Sequence, residues 1–354
     1  YPAEVDTKFK VYGTREPIPG GLTNMPSDMF GENGKIHDAI VSDRAGIVKV
    51  YEAVTQYCGW SGIEAGKTMG LFPYGKPNDA IPKLFDEESI YPLSNRNVIV
   101  PNYPNGAIVN SGIYQFLNEV NQLETKDDLT LLDSRRDMAY ACQTQTQDQV
   151  VTLIRNAVEL TGKKKVVISG GYGLNCVANY HYLEALKDEG IEVYVEPVSN
   201  DAGTAMGAAM MFWYGLEEDS KVVQTQSLYL GPDNNYTEKD IIDKTTVDGV
   251  TITNATNEDI VDLLTKKNIV TLFQGKSENG PRALGNRSVL FDPTFEDGKD
   301  YVNDVKHREY FRPFAGSILA EDVHEWFDLR GMEDSPHMMY AVNCQPGIAE
   351  KIPS

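Results

Sequence analysis

Histidine is scarce in this chain, and its scarcity limits the chemistry first. His37, His181, His307, His324 and His337 never fall into an HxxH, HxxxH or HExxH pair, so the chain offers no ordinary histidine metal site of its own. Cysteine is as sparse: Cys58, Cys142, Cys176 and Cys344 stand far apart without a CxxC pair. That excludes a zinc ribbon and a disulfide-dense secreted framework, and points to a reduced, intracellular setting. No run approaches the roughly 18 apolar residues of a membrane helix, and no charged-then-apolar leader is present, so a soluble, cytoplasmic protein without a membrane partner is expected. Positive charge is in deficit. With 32 Lys+Arg against 52 Asp+Glu, the net charge of −20 argues against general nucleic-acid binding, and any phosphate site must be local and preformed. A GxSxG elbow is absent, and so is a GxGxxG turn followed by an acid about 20 residues on.

What is present is ordinary for a folded protein: 354 residues, 41% hydrophobic and 24% charged. At about 150 residues per domain the length implies two or three domains. The chain opens on Tyr1 rather than Met and ends at Ile348–Ser354 without distinctive composition, which points to a processed or incomplete chain.

Residues 1–45, rich in Gly, Pro, Asp and Asn, read as loops around short strands. From Gly46 the spacing predicts a helix with Ile47, Val50, Tyr51, Val54 and Cys58 on one face, ended by Gly59. A second helix is predicted over about 138–160, with Ala141, Val150, Leu153, Ile154 and Ala157 recurring at three- or four-residue spacing. The most regular part follows: a strand over 165–169, a glycine turn, a helix over about 175–187, a strand over 192–195 and a small-residue helix over about 203–213. This is an α/β unit. Residues 216–237 read as a linker, and another α/β pattern then starts: YTEKDIIDKT, a strand near VTI, the helix NEDIVDLLTKKN and the strand IVTLFQG. The expected domain division is therefore 1–228 and 229–354.

Three constellations could carry chemistry. In SGGYGLN, Gly170 and Gly171 let backbone N–H groups approach a phosphate, and Asn175 is a natural cap or ligand at the start of a helix. In SNDAGTAMGAAM, Asp201 sits at a second helix start and Gly203 among small residues; a carboxylate there is a plain N-cap or a ligand for a hard cation. In GPRALGNRS and VKHREYFRPFA, Arg282, Arg287, Lys306, Arg308 and Arg312 gather in an otherwise acidic chain with Asn286 and Ser288. Guanidinium forks recognise phosphate or carboxylate bidentately. Phe311 and Phe314 beside them are expected to be buried. Cys176, next to the glycine turn, reads as a small core hydrophobe.

Taken together, GKTMGLFPYGKP (66–77), SGGYGLNCVAN (169–179), NDAGTAMGAAM (200–210), GPRALGNRS (280–288) and VKHREYFRPFA (305–315) resemble the O-carbamoyltransferase family of the NodU/CmcH type, in order and approximate spacing from about residue 40 onward. The resemblance implies an α/β protein with an actin-like ATPase-fold (ASKHA) domain followed by a YrdC-like α/β domain. It implies that carbamoyl phosphate and ATP give carbamoyl adenylate in the second domain, and that the first passes the carbamoyl group to a hydroxyl of a small molecule, sugar or nucleoside near a divalent metal. That metal would be iron, with Mg accompanying ATP. On this resemblance Arg282, Arg287, Lys306 and Arg308 are the catalytic candidates, Gly170, Gly171, Asn175, Gly203, Asn286, Ser288 and Arg312 bind the nucleotide and donor, and Asp201 binds metal. Arginine and lysine there would offset charge on the transferring phosphoryl group.

The family's HHxxHA-type segment, HVDGTARxQ-like pattern and NTSFN-like motif are not in this sequence. The resemblance therefore implies that missing segments or a second polypeptide supply the metal-binding histidines and that the chain alone lacks transfer activity. A homodimer is one assembly to expect. His307 stands where the family has a small residue, and Tyr172 interrupts the glycine turn. The alternatives are a threonylcarbamoyl-adenylate-type tRNA-modifying enzyme, which the −20 charge disfavours, and a non-catalytic structural or regulatory subunit that retains the fold.

Overall fold

The computed structural model describes residues 45–86, 92–102, 106–110, 130–216, 227–233, 236–245 and 247–354. The loop reading of residues 1–45 lies outside them apart from Ala45, as does much of the linker reading of 216–237. Helices and strands are mixed, and the chain divides into two compact units, Tyr1–Lys163 and Lys164–Ser354.

In the first unit, α1 (Ile47–Tyr57) buries Ile47, Val50, Tyr51, Ala53 and Val54, with Cys58 just beyond, and stops at Gly59, where φ is +103°. A short α2 (Ala65–Leu71) follows. Strands β1 (Ile99–Asn102) and β2 (Gly106–Val109) form an antiparallel pair with Ile99 opposite Val109. The 29-residue α3 (Asp133–Thr161) packs on α1 and α2 and ends at Gly162 in the left-handed conformation. Polar contacts tie these helices to one another and to the loop after α2. Tyr51 donates its hydroxyl to Gln143 Oε1 at 2.8 Å, the Thr55 and Thr68 hydroxyls meet at 2.8 Å, and the Asp137 carboxylate accepts from Lys76 N and Asn78 Nδ2, both at 2.9 Å.

Two features of α3 depart from the sequence reading. It begins at Asp133, more than a turn before residue 138, because Ser134, Arg135 and Asp137 are buried polar groups that an apolar period does not register. Its inward stripe is Met138, Ala139, Cys142, Gln143, Thr146, Val151 and Ile154, whereas Leu153 and Ala157 are exposed.

In the second unit the α/β reading is borne out closely. Strands β3 (Lys165–Ile168) and β4 (Glu192–Val195) pair in parallel, Lys165 with Glu192 through Ile168 with Val195, joined through α4 (Cys176–Ala185). A glycine-rich turn precedes α4, and α5 (Asp201–Leu216) follows β4. Beyond lie α6 (Glu238–Thr245) and α7 (Asn257–Thr265), the latter opened by a Thr256–Asp259 capping box. The pair β5 (Val270–Thr271) and β6 (Val289–Leu290), α8 (Gly298–Val305), α9 (Val323–Trp326) and the pair β7 (Phe327–Asp328) and β8 (Asn343–Cys344) complete the described elements. The strand expected near VTI does not form. A strand needs a neighbour to complete its ladder, and here the turn at Gly249 (φ +83°) leads through exposed Val250 and Ile252 to the Thr256 cap.

The C-terminal stretch of the unit lies along α4. Ala341 N donates to Cys176 O at 3.0 Å, Asn179 Nδ2 to Met339 O at 2.9 Å and Tyr180 OH to Asp328 O at 2.8 Å, while Arg330 Nη1 donates to Tyr180 O at 2.7 Å.

None of the four cysteines is in a disulfide, and their settings differ. Burial pushes the Cys58 thiol up to about 12 against an opposing pull from Arg135, and burial together with the nearby Cys58 raises Cys142 well above its usual value. Cys344 is exposed. Thiolate is the reactive form. Ellman's reagent should therefore modify Cys344 rapidly in the native chain and Cys58 and Cys142 only on unfolding; peptide mapping that finds Cys58 labelled as fast as Cys344 would contradict this burial.

Candidate functional site

Parallel strands end where their connections turn into helices, and ligands of α/β proteins collect at those carboxyl ends. The turn after β3 is built for close approach. Gly170 has φ +93°, a conformation glycine adopts without strain, and a Cβ at Gly170 or Gly171 would meet nothing within 4 Å, so this face of the turn is open. Gly173 faces the other way: a Cβ there would stand 2.8 Å from Ser199 Oγ, on the loop after β4. Asn175 is buried and caps α4, its Oδ1 accepting from Ala178 N at 3.0 Å. Asn179 Nδ2 donates to Gly173 O at 2.8 Å and holds the turn from below.

The loop after β4 leads into α5, of which Asp201 is the first residue, with an exposed carboxylate. Gly203 is where the helix meets its own entry loop. A Cβ there would lie 2.0 Å from Val198 O.

The 278–288 loop, distant in sequence, comes to the same place. Arg282 Nη2 donates to Leu174 O at 3.0 Å, and Arg282 Nε is buried without a hydrogen-bond partner. A Cβ on Gly280 would touch Val198 Cγ2 at 3.7 Å, and Asn279 Nδ2 reaches Met206 Sδ at 2.9 Å. Burial raises the Cys176 thiol and the Arg282 charge opposes it, as expected for a guanidinium beside the start of α4. Three groups singled out in the sequence therefore meet at the carboxyl end of the β3–β4 pair: the Gly170–Asn175 turn, the Asp201–Gly203 helix start and Arg282.

The other candidates are placed differently. Arg287 Nη1 donates to Gln274 O at 2.7 Å and Asn286 O at 2.8 Å, Nη2 to Gly275 O at 3.3 Å, and the guanidinium lies 3.7 Å from the Phe273 ring centre. Asn286 Nδ2 donates to Lys276 O at 2.7 Å and Ser288 Oγ accepts from Gly285 N at 2.9 Å. These three side chains hold the loop's own backbone.

Lys306 is exposed. Arg308 lies over Phe314 at 5.2 Å and beside Arg312, which pairs with Glu309 at 3.6 Å. Burial, and then the Arg312 charge, draw Arg308 below its ordinary value, with Glu309 opposing. Phe311 is buried as expected, but Phe314 is 44% exposed; its role is to face Arg308 rather than to fill a core. The partners differ accordingly: Arg282 and Arg287 donate to carbonyls of residues 174, 274, 275 and 286, whereas Arg308 faces Phe314 and Arg312 pairs with Glu309. His307 has φ +50°, in the left-handed region that favours glycine and that histidine enters more often than most other residues.

Sequence reading passed over Glu278. Its Oε1 accepts from three backbone N–H groups of the arginine loop: Leu284 at 2.8 Å, Asn286 at 2.7 Å and Arg287 at 3.3 Å. The signal was available, since Glu278 is the acid just ahead of GPRALGNR.

No group of three or more His, Cys, Asp or Glu side chains that could hold a metal ion forms among the described residues. Asp201 alone does not make a metal centre. No described helix is long and apolar enough to cross a membrane.

Two family models match the sequence: the carbamoyltransferase N-terminus over residues 25–210 and the carbamoyltransferase C-terminus over residues 261–354. Among curated relatives, the nodulation protein NolNO of Sinorhizobium fredii is 30% identical over 318 residues, 85% of this chain and 43% of the relative. The 3'-hydroxymethylcephem-O-carbamoyltransferase of Streptomyces clavuligerus is 29% identical over 284 residues, 78% of this chain and 48% of the relative. An uncharacterized protein of a Synechocystis species is 32% identical over 313 residues, 84% of this chain and 49% of the relative. The chain spans about half the length of the curated relatives it matches.

Proposed function

We propose, from the premise that the chain belongs to the carbamoyltransferase family, that it takes part in ATP-dependent O-carbamoyl transfer from carbamoyl phosphate, through carbamoyl adenylate, to a hydroxyl of a small molecule, sugar or nucleoside. The observation that carries this reading is the arrival of Arg282 at the glycine turn after β3. A nucleotide fits the residues there. Gly170 and Gly171 leave an open face, and Arg282 keeps a buried N–H without a partner, the kind of donor a phosphate oxygen satisfies.

ATP would supply the leaving group that carbamate lacks. The chain's own contribution is electrostatic and positional: Arg282 offsets charge at the turn, while Asn175 and Asn179 hold the turn's backbone. Arg287, Asn286 and Ser288 keep the arginine loop in shape, and the donor phosphate is assigned to Arg308, the Arg312 beside it and Lys306 two residues before Arg308. Asp201 is the candidate metal ligand at the helix start, and the described residues do not complete a site around it.

The fold reading belongs with this: residues 1–228 as part of an actin-like domain and 229–354 as part of a YrdC-like domain.

The test is pyrophosphate release from ATP by the purified chain. Release that requires carbamoyl phosphate supports the reading. Its absence with Mg²⁺ and iron supplied overturns it for this chain.

A further inference from the structure

Loops rich in backbone N–H donors bind anions, and the 284–287 backbone is such a loop. Its donors are already engaged from within the chain. Glu278 Oε1 takes the N–H groups of Leu284, Asn286 and Arg287, and Gly285 N donates to Ser288 Oγ at 2.9 Å. Burial alone would raise the Glu278 carboxyl, yet the convergent N–H groups hold it below the ordinary glutamate range. The neighbouring cations turn elsewhere: Arg282 to Leu174 O, Arg287 to the carbonyls of Gln274, Gly275 and Asn286, and Lys276 to Asp233 at 3.4 Å. Among the described residues the carboxylate is thus bound by backbone and by no ion pair.

We propose that Glu278 is a positioning residue: by gathering three N–H groups onto one oxygen it folds the 280–288 loop into the conformation that delivers Arg282 to the Gly170–Asn175 turn. The internal carboxylate occupies the N–H cradle that a phosphate would otherwise take, so the loop acts on its ligand through its arginine and not through its backbone. The consequence for nucleotide binding rests on the carbamoyl-adenylate reading above.

Glu278→Gln keeps the side chain's size but removes the charge that makes these bonds strong. Exchange of the Arg282 Nε–H with water, followed by NMR, should accelerate at least about 10-fold in E278Q as the loop opens locally. Unchanged exchange overturns the proposal. MgATP titrations of the full chain give the second readout: E278Q should weaken binding about 10-fold in the wild-type background and less than about 2-fold in an Arg282→Ala background, since residues acting as one unit are not additive. Equal losses in both backgrounds would assign Glu278 a merely structural part and overturn positioning through Arg282. Should wild type bind no MgATP, the carbamoyl-adenylate reading falls, and the Arg282 exchange still decides the role of Glu278. If E278Q does not fold, Glu278→Asp, which keeps the charge one methylene short, replaces it in both measurements.

Discussion

Arg282→Ala is expected to lower carbamoyl-phosphate-dependent pyrophosphate release by about 100-fold, the scale seen when one preorganised donor is removed from developing negative charge. The guanidinium is not a solvated surface group. Its Nη2 is committed to Leu174 O at 3.0 Å, and its Nε is buried and unpartnered. Removing it deletes both the tie between the loop and the turn and the buried Nε–H that has no hydrogen-bond partner.

Arg282→Lys should recover only a small part of the loss, because an ammonium cannot hold the Leu174 carbonyl and present a second N–H in a fixed plane. Stability should fall less than activity: the loop keeps its Glu278, Asn286, Arg287 and Ser288 bonds without Arg282. A melting curve beside the pyrophosphate assay separates the two effects. Activity within about threefold of wild type in R282A would remove this residue from the chemistry.

The fold was legible where local rules and tertiary packing agree. The β3–α4–β4 unit is an instance: four-residue strands, a glycine turn and the Asn175 cap each point to the same arrangement, and the register places Val166 opposite Val193. Helix α3 was legible in its middle but not at its start or in its orientation. Arg135 and Asp137 are buried yet polar, and Asp137 earns its place by accepting from Lys76 N and Asn78 Nδ2, partners some sixty residues away that no local period can reveal.

The same limit applies to the candidate site. Composition marked every arginine in 280–312 alike, but their fates differ: Arg282 reaches the turn, Arg287 clamps carbonyls of its own loop, and Arg308 rests over Phe314. Which of these a cation does depends on the backbone it meets. Glu278 stood in view just ahead of GPRALGNR, but its role did not, since its partners are main-chain N–H groups that carry no residue code.

Glycine in a helix ordinarily costs about 0.5–1 kcal/mol relative to alanine, so Gly→Ala within α5 should stabilise unless the added methyl has nowhere to go. Gly207 meets that condition: a Cβ there has nothing within 4 Å, and Gly207→Ala should raise the urea midpoint slightly. Gly203 reverses the sign. Its Cβ would lie 2.0 Å from Val198 O and 3.2 Å from Val198 C, backbone atoms that cannot rotate away as a side-chain tip can.

To admit that methyl, the 198–200 loop must move away from the helix start. Val198 is itself buried and Gly203 N is bonded to Asn200 O at 3.0 Å, so the movement breaks packing and a backbone hydrogen bond together. The expected cost is about 3 kcal/mol or more, at the upper end for overpacking, which for a unit of this size lowers the melting temperature by roughly 6 °C or more. Because Val198 also lines the contact with Gly280, the loss should extend to Arg282: G203A should weaken MgATP binding even at temperatures where it remains folded, while G207A leaves binding unaltered. Finding both variants equally stable would mean that α5 does not press on the 198–200 loop, and the meeting of Asp201, Gly203 and Arg282 at one strand end would lose its physical basis.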